Sequence, residues 1–218
     1  MKFPLRLVLL SFALLSSAGA DPAKWEKDIA VLEQSDREHP PEKGAILFTG
    51  SSTIRRWKTL AEDFPGYRVV NRGFGGSQME DSVFYAERIL IPHEPAAIVI
   101  FAGSNDINAG KTPERVAEDF KAFVAKVRSR LPKTAIGFIE ITSSPKRWDQ
   151  RDKVVEANRL VRAFCEGTPG VKFIPVREKF FGSNGEPRGD LFASDRLHPN
   201  EEGYKILIEA IRPVLPKQ

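Results

Sequence analysis

An α/β domain built on a parallel sheet is the fold class that this 218-residue sequence predicts. Three observations predict it. Five short runs rich in Val, Ile and Phe are almost continuously apolar, the pattern of strands covered on both faces. Helical patterns, with apolar residues at three-to-four spacing, separate the runs. Small and polar residues gather just after successive runs, where open parallel sheets place their ligands.

The elements follow in chain order. Lys2 and Arg6 open a positive start, Leu7 to Leu15 is a short apolar stretch, and Ala18-Gly19-Ala20 is a small-residue cleavage pattern. Residues 1–20 therefore read as a secretory signal peptide, with the mature chain expected from Asp21. The apolar stretch is too short to span a bilayer as a mature anchor, and no later segment is long and apolar enough. No cysteine follows the cleavage pattern, so a lipid-modified N-terminus is not indicated. The expected location is outside the cytoplasm, periplasmic or secreted, without a stable membrane anchor. A helix over Ala23–Gln34 and a joint at His39-Pro40-Pro41 make up residues 21–43. Residues 44–218 then form one catalytic-sized domain, without repeat or linker.

Within that domain the strands are expected at Ala45–Thr49, Tyr67–Val70, Ala96–Ala102, Ala135–Thr142 and Val171–Val176. The helices are expected at Ile54–Asp63, Met79–Leu90, Pro113–Arg130, Arg151–Cys165 and Glu201–Val214. Thr112 reads as an N-cap with Pro113 at the first helical position. Asn200 reads as the cap before Glu201-Glu202.

Composition narrows the function classes. A hydrophobic content of 41% suffices for one core. The formal charge of +4 falls to +2 once Lys2 and Arg6 leave with the signal peptide. So mild a balance, spread along the chain, gives no case for nucleic acid. Arg55-Arg56 and Lys146-Arg147 read as solvated charge, or as tuning a pocket rim. The lone Cys165 forms no internal disulfide and sits in an amphipathic helical pattern, as a buried inert thiol would.

The strand ends carry the chemistry. Gly50-Ser51-Ser52 follows the first strand, and Asn71-Arg72-Gly73-Phe74-Gly75-Gly76-Ser77 the second. Gly103-Ser104-Asn105-Asp106 follows the third, Ser143-Ser144-Pro145 the fourth, and Asp195-Arg196-Leu197-His198 lies well after the fifth. A serine nucleophile needs a base in reach and a group to orient that base. Of the three histidines, His39 and His93 precede strands, and only His198 is placed for a cleft. Asp195, three residues earlier, can fix the imidazole in a tight turn. The simpler reading is that both residues only shape a helix entry. A metal would have only Asp190, Asp195 and His198, without a ligand-spaced histidine pair, so neither metal nor cofactor is expected. Oxyanion donors are available at the backbone N–H of the nucleophilic serine, at a glycine of Gly73-Phe74-Gly75-Gly76 and at the Asn105 amide. The glycines alternatively only permit a turn, and Asn105 only holds its loop. The glycine stretch fails G-x-G-x-x-G at Gln78, and no G-x-S-x-G surrounds Ser52.

Taken together and in order, four blocks resemble the SGNH hydrolases, the GDSL esterase and lipase family. They are Phe48-Thr49-Gly50-Ser51-Ser52, Asn71-Arg72-Gly73-Phe74-Gly75-Gly76, Gly103-Ser104-Asn105-Asp106 and Asp195-Arg196-Leu197-His198-Pro199. The branch resembled includes platelet-activating-factor acetylhydrolases and exported bacterial esterases. The resemblance implies a flavodoxin-like three-layer α/β/α sandwich with a five-stranded parallel sheet. It also implies Ser52 as nucleophile, Asp195 and His198 as the rest of the triad, and Ser52, Gly76 and Asn105 as the oxyanion hole. Ser51 stands where the family usually has aspartate, and is given a supporting place beside the substrate.

The expected function is therefore exported hydrolysis of carboxylic esters through an acyl-enzyme. Short acyl groups or O-acetyl groups on carbohydrate are the expected substrates. Trp148 is expected to wall the pocket, to stack on a sugar or to sit in the core. The rival is a carbohydrate- or lipid-binding module that kept the scaffold and lost catalysis, for which only Ser51 argues.

Overall fold

A computed structural model describes residues 22–217, so the signal-peptide reading lies outside the described residues. Five strands form one parallel sheet: β1 (Ile46–Gly50), β2 (Val69–Gly73), β3 (Ala97–Phe101), β4 (Ala135–Ile139) and β5 (Val171–Ile174). Their order is β2-β1-β3-β4-β5, with every pairing parallel. This is the flavodoxin-like order, and its switch point lies between β1 and β3. There Gly50 stands between Gly73 of β2 and Phe101 of β3.

The continuous apolar runs are explained by helices on both faces. Leu47, Ile98, Ile100 and Phe138 point into one core layer, under α1 (Glu26–Glu38), α4 (Met79–Ile89), α6 (Pro113–Arg128) and α7 (Arg151–Glu166). Ile46, Phe48, Val99 and Ile174 point into the other, under α2 (Ser52–Arg55), α3 (Leu60–Asp63) and α8 (Glu201–Ile211). The two clusters make the α/β/α sandwich that the alternation predicts. Thr112 caps α6 by accepting the Arg115 N–H at 3.2 Å, and Asn200 caps α8 through the Gly203 N–H at 3.1 Å.

Several boundaries differ from the sequence expectation. The helix expected over Ile54–Asp63 is broken into α2 and α3. Asn71, on neighbouring β2, donates to the Ile54 carbonyl at 2.6 Å and to the Trp57 carbonyl at 3.3 Å, so a side chain takes what the next turn would take. The Trp57 indole and the Thr59 hydroxyl both bind Asp63 and close the break. β4 and β5 end early because side chains replace strand partners. Asn158 bonds both the N–H and the carbonyl of Ile141 at 2.9 Å. Buried Glu140 accepts the N–H groups of Val176 and Arg177. A short helix not foreseen, α5 (Ser104–Asn108), follows β3. Among the described residues no helix is long and apolar enough to cross a membrane.

Candidate active site

Chain geometry at the switch point places the first serine pair. Gly50 has a φ of 111°, and a Cβ there would lie 2.1 Å from the Phe101 carbonyl oxygen. Only glycine lets the chain leave β1 so close to the end of β3. The Ser51 N–H then donates to that same Phe101 oxygen at 3.0 Å. Ser51 is extended at the N-cap of α2, and its carbonyl accepts the Ile54 and Arg55 N–H groups. Ser52 opens the helix. Gly73, at the end of β2, leaves room for α2, since a Cβ there would sit 2.3 Å from the Arg55 nitrogen.

The histidine arrives from the other end of the chain. Ser52 Oγ lies 2.7 Å from His198 Nε2, and His198 Nδ1 lies 2.6 Å from Asp195 Oδ2. The network assigns the ring proton to Nδ1, which donates to the carboxylate, and leaves Nε2 to accept the serine proton. The turn carrying both residues is held by its own backbone. Asp195 Oδ1 accepts the Leu197 and His198 N–H groups, each at 3.0 Å, and the Ala193 N–H donates to the His198 carbonyl at 2.8 Å. Arg196 takes the left-handed φ of 56° that this turn requires. Burial pushes the Asp195 carboxyl up. The His198 N–H, the imidazole and the Leu197 N–H together outweigh it and hold the group well below the usual carboxylate range. Asp195 is thus an anion wherever the imidazole is needed as a base. Arg56 adds a further contact, with Nη1 at 2.9 Å from Asp195 Oδ2.

The donor candidates come from three separate loops. Among the described residues neither the Ser52 N–H nor the Gly76 N–H meets a hydrogen-bond acceptor. Asn105, on α5, donates one amide hydrogen to the Ser77 carbonyl at 2.9 Å, and its oxygen accepts from Arg147 Nη1 at 3.0 Å. Gly76 is exposed on the loop after β2, with a φ of 80° and the Trp25 ring beside it. Ser51, Ser52, Asn105, Thr142, Arg147 and His198 line one small cleft, with a cavity volume of about 20 Å³.

Not every expected residue reaches that cleft. Trp148 is half-buried away from it, against Phe181 at a centroid distance of 5.6 Å and under the Arg151 guanidinium. Gly76 is likewise not among the cleft's lining residues. His93 pairs with Asp36 at 3.1 Å, and His39 ends α1, so both stay outside the site. Two residues read from sequence as solvated charge or as tuning a pocket rim reach the site: Arg56 through Asp195, and Arg147 through Asn105. The one signal for Arg147 was its position just past a strand end.

A parallel sheet carrying a hydrogen-bonded serine–histidine–aspartate series at its switch point defines a serine hydrolase of the α/β class. Residues 40–206 match the GDSL-like Lipase/Acylhydrolase family, and the chain belongs to that family. It is an enzyme that hydrolyses ester bonds. It is 27% identical over 194 residues to the human platelet-activating factor acetylhydrolase IB subunit alpha1, covering 85% of this chain and 79% of that one. Among solved structures it superposes with a TM-score of 0.78 and 21% identity on a Streptococcus pneumonia protein provisionally described as a platelet activating factor. That match covers 88% of this chain and 92% of the other. An acetylxylan esterase from Geobacillus stearothermophilus, solved as a catalytic mutant, superposes with a TM-score of 0.64 and 18% identity, over 79% of this chain and 95% of the other.

Proposed function

We propose that the protein is an exported serine esterase that removes short acyl groups, O-acetyl groups above all, through an acyl-enzyme on Ser52. The observation that carries this reading is the 2.7 Å contact between Ser52 Oγ and His198 Nε2, with Asp195 behind the ring. His198 takes the Ser52 proton as Oγ bonds the ester carbonyl carbon. The carbonyl oxygen becomes an oxyanion, received by the Ser52 and Gly76 N–H groups and the Asn105 amide. His198 then gives its proton to the leaving alcohol as the C–O bond breaks. Water, deprotonated by the same imidazole, releases the acid and restores Ser52. Asp195, held ionised, stabilises the imidazolium at each transfer.

The small polar side chains beside Ser52, among them Ser51, Ser104, Thr142 and Ser144, support a short acyl group over a long apolar chain. The acetyl specificity in the name of the human relative points the same way. The acetylxylan esterase neighbour lends support to acetylated carbohydrate as the alcohol side. Export rests on the sequence of residues 1–20. A pure binding module would have no use for a serine hydroxyl in contact with an oriented imidazole.

The deciding experiment is hydrolysis of p-nitrophenyl acetate, butyrate and octanoate by the chain from Asp21, beside Ser52→Ala. Acetate turnover that exceeds octanoate turnover and vanishes in Ser52→Ala is the expected result. Equal rates for enzyme and variant would remove Ser52 as nucleophile, and a preference for octanoate would remove the short-acyl reading.

A further inference from the structure

We propose that Arg147 is a positioning residue that fixes and polarises the Asn105 carboxamide, so that the oxyanion meets a donor backed by a full positive charge. The proposal rests on the reading of Ser52 as nucleophile and deepens it.

The placement begins with the chain. Arg147 follows β4 at the kink of the short 3-10 segment Pro145–Gln150, at the same edge of the sheet as Ser52 and Asn105. The Lys146 N–H donates to the Arg196 carbonyl at 3.0 Å, which ties this turn to the one that carries His198. Arg147 Nη1 donates both to Ser104 Oγ at 2.9 Å and to Asn105 Oδ1 at 3.0 Å. Asn105 Nδ2 donates to the Ser77 carbonyl. The carboxamide is therefore gripped at both ends, and its flip is resolved: an Arg can only donate, so the oxygen must face Arg147. One Nδ2 hydrogen is left over for the cleft.

Charge supplies the second argument. Arg147 is half-buried, and among the described residues no carboxylate lies within ion-pair distance of it. Burial depresses its pKa, and no carboxylate offsets that loss. Arg56, by contrast, is paired with Asp195, and Lys146 is exposed. A partly desolvated cation whose hydrogen-bond partners are all neutral is costly in the resting enzyme. The negative charge that arises beside it during turnover is the oxyanion, whose formation relieves that cost. A hydrogen bond to Oδ1 also draws electron density from the amide, which strengthens the Nδ2–H donor. Both effects act in the transition state more than on bound ester, so they belong in kcat rather than KM.

The test measures kcat and KM for the wild type, Arg147→Gln, Arg147→Lys, Asn105→Ala and the Arg147→Gln/Asn105→Ala double variant. The esters are neutral p-nitrophenyl acetate and anionic mono-p-nitrophenyl succinate. The expected result for Arg147→Gln is a kcat lower by on the order of tenfold or more on both esters, at nearly unchanged KM. Arg147→Lys should recover part of the loss, and the double variant should be scarcely slower than Asn105→Ala alone, because Arg147 acts through Asn105. Losses that multiply in the double variant would overturn the proposal, as would an unchanged kcat. A loss confined to the KM of the succinate ester would overturn it too, and would instead make Arg147 a subsite for an anionic substrate. Ser52→Ala separates this from failure of the underlying reading: if that variant still turns over, the nucleophile assignment falls, whatever Arg147 does.

Discussion

Single side chains decide the chemistry here, and their consequences are separable. The Asn105 amide is the one side-chain donor assigned to the oxyanion, so Asn105→Ala should lower kcat by roughly a hundredfold with KM nearly unchanged, measured on p-nitrophenyl acetate. A near-normal kcat would transfer the oxyanion to the two backbone N–H groups alone. Cys165 sets a contrast. It is buried on α7, and burial pushes its thiol up to about 12. The folded protein therefore holds it as a neutral thiol throughout the neutral range. It should stay silent to Ellman's reagent near neutral pH and react stoichiometrically once urea unfolds the chain. Rapid labelling of the native protein would contradict its burial.

Elements are held by side chains that stand in for backbone partners, and this is where sequence and structure part. Asn71 is the clearest case: its amide binds the Ile54 and Trp57 carbonyls while its oxygen accepts the Gly73 N–H at 2.9 Å. Asn71→Ala strips partners from all three groups, and should cost about 1–3 kcal/mol in urea denaturation. The sequence placed Asn71 after β2 but could not show that it reaches across to α2, so the Ile54–Asp63 helix was expected whole. The same cause explains the overlong β4 and β5, where Glu140 and Asn158 cut the ladders short from distant positions. Apolar periodicity, by contrast, is local, and it made all five strands and the α6 and α8 caps legible. Asn105, Asp195 and His198 were legible as candidates because polar residues placed after strands must share one edge of a parallel sheet, whereas Ser52 was told from Ser51 only by the family resemblance. For Arg56 and Arg147 the sequence left solvated charge and pocket rim open, since only burial and partner decide between them. For Trp148 the sequence left pocket wall and core open, and the structure packs it against Phe181.

At the scale of the whole molecule, the segment before β1, from residue 22 onward, packs into the sheet's own core. Trp25 and Ile29 are buried in the same core layer as Phe74, Tyr85 and Ile89. Arg88 of α4 binds Glu26 and Glu33 of α1 with four contacts of 2.7–2.8 Å. The Arg88 hydrogen bonds lower the pKa of both glutamates against the opposing effect of burial. Groups whose folded pKa is depressed stabilise the fold above the ordinary carboxylate pKa, and that stability is lost as pH falls through and below it. Arg88→Gln should therefore lower Tm near neutral pH and narrow the drop in Tm between neutral and about pH 3. An unchanged acid sensitivity would place the acid-labile contacts elsewhere.

The turn that carries both Asp195 and His198 has a kinetic corollary. Base and orienter share four residues of chain, bonded to one another through Asp195 Oδ1 and closed by the Ala193 N–H. Ser52 stands on a different segment, which meets them through the 2.7 Å contact and through Arg56 Nη1 on Asp195 Oδ2. The seam of the site runs between these two segments. A thermal fluctuation that lifts the turn removes proton acceptor and counter-charge in a single event, and its return restores both in register. Imidazole and carboxylate therefore move as one piece, and a loss of register falls between the turn and Ser52 rather than within the turn.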